Sequence, residues 1–222
     1  MRKDDVGEAA PIVRRAMHSL LLTVSDRGRP GSDVRTAIGD LLVHVEAMLY
    51  ADTIGPSLAE CFDLTRKAGA TFASLVEVRK AVSAEQPHTL GGHLITDSLI
   101  HFCLGTEARI IVDMTFVSRE DAEQVKKAVN TGFSPAEETA ADAMDSPTYM
   151  ALIALHAATS YYLVETARPL PRMLAFQFAE PKSTLVAAHR LYDDAGRADE
   201  LRDENKVVHP AFMRPTGRAL SA

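Results

Sequence analysis

His93, Asp97 and His101 recur at steps of four, with Cys103 close behind. On an α-helix that spacing stacks imidazole and carboxylate donors along one face. These are the donors a divalent transition metal takes. Three ligands on successive turns of one helix seldom close a tetrahedral shell unaided, and no His-Glu-x-x-His accompanies them. A polar stripe in which Asp97 bridges two histidines accounts for the same spacing. No cofactor and no metal is therefore expected, and His93, Asp97 and His101 remain the weak candidate.

Other catalytic patterns are missing. There is no Gly-x-Ser-x-Gly elbow, no P-loop and no Gly-x-Gly-x-x-Gly, and the eight histidines are scattered. Gly91-Gly92 reads as a turn rather than a phosphate cradle. Cys61 and Cys103 form no Cys-x-x-Cys and read as buried apolar residues. Tyr161-Tyr162 sits among apolar neighbours and reads as packing. An enzyme is not expected.

The 222 residues carry a net charge of -6, with 46% hydrophobic and 24% charged residues. That composition builds a globular core. The acidic balance and the lack of a dense basic stripe make direct nucleic-acid binding unexpected. No apolar run approaches the roughly 18–20 residues of a membrane helix. The polar, acidic N-terminus does not open a signal peptide, so a soluble cytoplasmic product with no membrane contact is expected.

The elements that must carry these residues are mostly helices. Steps of three and four predict helices over 6–25, from the Ser32-Asp33 cap to about Leu49, and as one piece over 58–82. A further helical segment runs over 93–116, its β-branched end included. Ser118-Arg-Glu-Asp121 opens a helix to about Asn130, and Ser134-Pro135 opens another. Ser146-Pro147 starts a long helix to Ala167. Pro169-Leu-Pro171 then stops the chain, and Leu174, Phe176 and Phe178 alternate as in a strand.

The fold expected is mainly α: an antiparallel helical array over 1–170, followed by a small α+β (βααβ) module over 172–222. In that module Ser183 caps a short helix carrying Leu185, Val186, His189, Leu191 and Tyr192. Asp193-Asp-Ala-Gly196 breaks it, and Arg197–Glu204 forms a charged second helix around Leu201. Asn205 ends that helix, a position where the left-handed conformation is expected. Residues 218–221 supply a closing strand.

Ser183-Thr-Leu185, His189-Arg-Leu-Tyr192, Asp199-Glu-Leu201, Asn205, Pro210 and Pro215-Thr-Gly217 resemble a LysM module. Thr216 interrupts the usual closing Pro-Gly-Gln, and the loop Val207–Met213 is more apolar than in glycan-binding versions. Both departures favour protein docking over sugar binding. More widely, Phe116–Val129, Arg168–Pro181 and Leu185–Met213 resemble the C-terminal part of the DNA circularisation proteins of Mu-like phages and prophages. The resemblance covers about 105–222 well and the upstream helices loosely. The N-terminal DNA-circularisation domain usual in that family is not expected in these residues.

That resemblance implies a non-enzymatic structural protein of the phage tail baseplate or hub. It implies other tail and baseplate proteins as partners, with self-association compatible, and a place in the virion tail after assembly. Tyr192, Val207, Val208, His209, Phe212 and Met213 are the expected partner-binding residues. Cell-wall glycan binding and DNA-end bridging are the alternatives.

Overall fold

Apolar residues at three- and four-residue steps produce long helices, and glycines, prolines and caps separate them. The computed structural model describes residues 1–221. Among them, α1 (Lys3–Leu22), α2 (Arg29–Ala51), α3 (Ile54–Lys67), α4 (Phe72–Ser83), α5 (Leu90–Val112), α6 (Arg119–Asp142) and α7 (Ser146–Ala167) precede β1 (Met173–Gln177). Then follow α8 (Thr184–Tyr192), a 3-10 turn at Ala195–Arg197, α9 (Ala198–Glu204) and β2 (Thr216–Leu220). The protein is mainly α, a helical array with a small α+β part. No helix among the described residues is long and apolar enough to cross a membrane.

The chain forms two compact units, Met1–Met114 with Val129–Thr159 and Thr115–Ala128 with Ser160–Ala222. The second unit thus takes in more than the 172–222 segment set off by the prolines, because the first turns of α6 and the last of α7 pack with it.

In the first unit α1 packs on α2, α4 and α5, and α5 also on α3 and α4. Val6, Val13, Met17 and Leu20 of α1 are buried with Val34, Ile38, Leu41 and Val45 of α2. Phe62 of α3 stacks on Phe102 of α5 at 5.6 Å. The α6 stripe Val129, Phe133, Ala136, Ala140 is buried across Pro135. This continuous stripe explains why one helix runs through Ser134-Pro135, where two were expected. Burial of its apolar face outweighs the roughly 3 kcal/mol that an interior proline costs. His156 of α7 stacks on Phe133 (4.9 Å), with Nδ1 2.8 Å from Glu137 and Nε2 2.9 Å from Asn130.

Three other boundaries differ from expectation. The single helix over 58–82 is two, because Gly69 adopts φ +84° and Thr71 caps α4 by accepting from the Ser74 amide. α2 starts at Arg29, before Ser32-Asp33, because Asp26 accepts hydrogen bonds from the Gly28 and Gly31 amides. α5 stops at Val112, so the β-branched segment is helical only in part.

A buried ion pair crosses the first unit. Arg79 of α4 donates from Nε to Glu107 Oε1 of α5 at 2.9 Å, with side chains 9% and 1% exposed. Burial pushes the Glu107 carboxyl up, and Arg79 offsets part of that rise. The guanidinium lies against Gly132, where a Cβ would stand 2.7 Å from its central carbon, so α6 needs glycine there. Removing one partner of such a pair leaves a buried charge unmatched. Arg79→Met is expected to cost about 3–5 kcal/mol in urea unfolding. Adding Glu107→Leu is expected to recover most of that loss.

Candidate functional site

The first unit holds a cleft of about 720 Å³, walled by the end of α4, the 83–87 segment, α5 and α6. His93, Asp97 and His101 all line it, as the helical spacing requires. Burial raises the Asp97 carboxyl, opposed by His101 and His93, and lowers the His101 imidazole, opposed by Asp97 and Asp145. They do not assemble into a metal centre. Among the described residues no group of three or more His, Cys, Asp or Glu comes together to hold an ion. Donors one helical turn apart diverge unless further elements complete the set. The other charges at the cleft have protein partners: Arg79 with Glu107, Lys80 with Glu77, and Glu85 with Arg15.

Gly91-Gly92 lies at the positive end of α5. The Gly92 amide donates to the Thr89 hydroxyl at 3.0 Å, and carboxylates of α1 take amides just before it. Glu8 accepts from the His88 and Thr89 amides (2.8 and 2.7 Å) and from the Thr89 hydroxyl, and Asp5 accepts from the Gly91 amide at 3.0 Å. A Cβ on Gly91 or Gly92 would collide with Asp5 or Glu8. The glycines are there so that two acids can cap a neighbouring helix. Hydrogen bonding from Thr89 and His88 lowers the Glu8 carboxyl to about 2.

The second unit is closed around Ala187, Ala188, Leu201, Met213 and Ala219, with Phe176, Phe178, Leu191, Tyr192 and Val207 packed against them. β1 and β2 pair antiparallel, Met173 opposite Leu220 and Gln177 opposite Thr216. Arg119 at the start of α6 donates to the Arg168 and Leu170 carbonyls after α7, both at 2.8 Å, and Glu120 accepts from the Met173 amide at 2.7 Å. These bonds fix where the first strand begins.

Asn205 closes the unit. Its Nδ2 donates to the Leu201 and Arg218 carbonyls (2.8 and 2.7 Å), and its Oδ1 accepts from the Arg218 amide at 2.8 Å. It therefore joins the end of α9 to β2. Gly217 admits it, since a Cβ there would strike Asn205 Oδ1 and the Phe176 ring. The left-handed residue expected at Asn205 is Lys206 (φ 50°), while Asn205 has φ -93°. The reason is that Asn205 works through its side chain rather than its backbone.

The six expected partner-binding residues divide into two groups. Met213 is 1% exposed and belongs to the core; Val207 and Tyr192 pack against that core. Arg197 covers the Tyr192 ring at 3.8 Å, and burial raises its hydroxyl. Val208 (99% exposed), Phe212 (76%) and His209 face outward, with the Phe212 and His209 rings 5.5 Å apart. The loop carrying them is pinned to the start of α8: Met213 N to Lys182 O at 2.9 Å, and Thr184 N to Pro210 O at 2.7 Å.

On α8 Leu185 and Val186 are exposed, and Ala187 and Ala188 are the residues buried in the small core, where α8 packs on α9. The arrangement offers a fixed loop with two bare apolar side chains.

Two outcomes are expected. The folded-state Glu8 value lies below the ordinary 4.5, so its contribution is full above about 4.5 and lost as pH falls toward 2. Thermal midpoints measured between pH 5 and 2.5 should fall more steeply for the wild type than for Glu8→Gln. Asn205→Ala should cost about 3 kcal/mol, from three hydrogen bonds worth about 1 kcal/mol each, and should raise hydrogen exchange at the Arg218 amide at least tenfold. In comparison with known proteins, no protein-family model matches this sequence and no curated protein matches it.

Proposed function

We propose that this chain is a non-enzymatic structural protein of a phage or prophage tail, in the baseplate or hub. It acts by docking its C-terminal loop onto a neighbouring tail protein. The observation that carries this reading is the exposure of Val208 and Phe212 on a loop held at both ends by core residue Met213 and half-buried Val207. A large apolar side chain on a pinned loop costs little entropy to bury, and a buried Phe contributes about 1.5–3 kcal/mol. The motif resemblance to the DNA circularisation proteins supplies the tail setting. The use of the cleft charges and helix-end amides in internal pairs agrees with a role that needs no chemistry.

The test is assembly. Val208→Asp with Phe212→Asp is placed in the full chain and tails are purified from the producing strain. Circular dichroism and thermal midpoint should match the wild type, because neither side chain is in the core. The amount of the chain recovered in tail particles should fall at least tenfold. Unchanged incorporation rules the docking role out.

A further inference from the structure

The exposed loop differs in charge from the rest of the chain. Residues 205–221 contain Lys206, Arg214 and Arg218 and no Asp or Glu, within a chain of net charge -6. Several acids of this unit are committed elsewhere. Asp199, Glu200, Asp203 and Glu204 pair with Arg202, Arg197 and Arg218, and Asp194 caps the Gly196 amide. Among the described residues Lys182, Arg190, Lys206 and Arg214 have no ion pair.

Their places follow from the fold. Lys206 opens the loop and Arg214 closes it. Lys182 forms the bridge with Met213 that pins it. Arg190 lies one helical turn beyond exposed Val186 on α8. Lys206 and Arg214 thus bound the loop that carries Val208 and Phe212, and Lys182 stands at the bridge that pins it.

We infer that the Val208–Phe212 loop docks into an apolar pocket rimmed by carboxylates on a partner protein. The inference rests on the docking role proposed above and names the partner's chemistry. Unpaired cations around an apolar anchor steer encounter with an acidic surface and reject a basic one. They gain ion pairs on docking without breaking any inside the chain. A protein pocket is favoured over a lipid surface because the apolar element is a short pinned loop, not an amphipathic helix.

Benzoylphenylalanine replaces Phe212 in the full chain, in the producing strain, and the adduct formed on illumination is identified by peptide mass spectrometry. The expected product is one protein, linked at a site where Asp or Glu surround apolar residues. Lys206→Glu with Arg214→Glu should lower its yield at least tenfold while leaving the fold intact. Charge reversal at the linked site on that protein should restore it. Adducts with a second copy of this chain, with lipid or with nucleic acid overturn the inference. So does no adduct, or one indifferent to Lys206→Glu and Arg214→Glu. Loss of tail incorporation in Val208→Asp/Phe212→Asp together with a charge-indifferent adduct sinks only this inference. A charge-dependent adduct with a protein outside the tail sinks only the tail assignment.

Discussion

Asn205 is the contact on which the second unit depends. Two short helices and two five-residue strands bury little apolar area, so a fold this small closes only if its polar groups are matched. One amide side chain meets a carbonyl at the end of α9 and both backbone groups of Arg218 in β2. The second strand is therefore placed relative to the helices before its own side chains contribute. Gly217 is part of the same device, since any larger residue would occupy the space of the amide. From that point the loop leaves at Lys206, returns at Met213, and has no freedom to fold its apolar tip inward.

The first unit uses polar groups in a similar way. Glu8 and Asp5 cap the start of α5, Asp26 starts α2, and Arg79 meets Glu107 inside the helical packing. Residues that suggest catalysis or ligand binding by type are here solving the accounting problem of helix ends and buried charge. At the α5 N-terminus carboxylates hold the His88, Thr89 and Gly91 amides and the Thr89 hydroxyl holds that of Gly92. Half-buried His156 does comparable work between α6 and α7, meeting Glu137 and Asn130 while its ring covers Phe133.

A docking role fits the division of labour that results. In the second unit several charges are matched internally and small residues fill the core, while Phe212 and Val208 are among the large apolar side chains left exposed. In the proposed role a second protein would cover these two.

Much of the architecture was legible in the residues. Three- and four-residue steps place most of the helices, the alternation at Leu174, Phe176 and Phe178 marks the strand, and Ser183 marks the start of α8. These are local signals, set by backbone period and by caps a few residues away. The sequence also determined the spacing of His93, Asp97 and His101 along one helix face. Only the tertiary structure decided the rest. Pro135 stays inside a helix because a long-range apolar stripe outweighs a local breaker. Met213 is core while Phe212, one residue before it, is not, since the Lys182 bridge sets which side chain points in. On α8 it is Ala187 and Ala188, not Leu185 and Val186, that are buried, a choice of face the short helix's residue types do not fix. Whether Gly91-Gly92 could receive an anion depended on carboxylates more than eighty residues away. Partners that distant leave no period in the sequence, so only the folded chain brings them together.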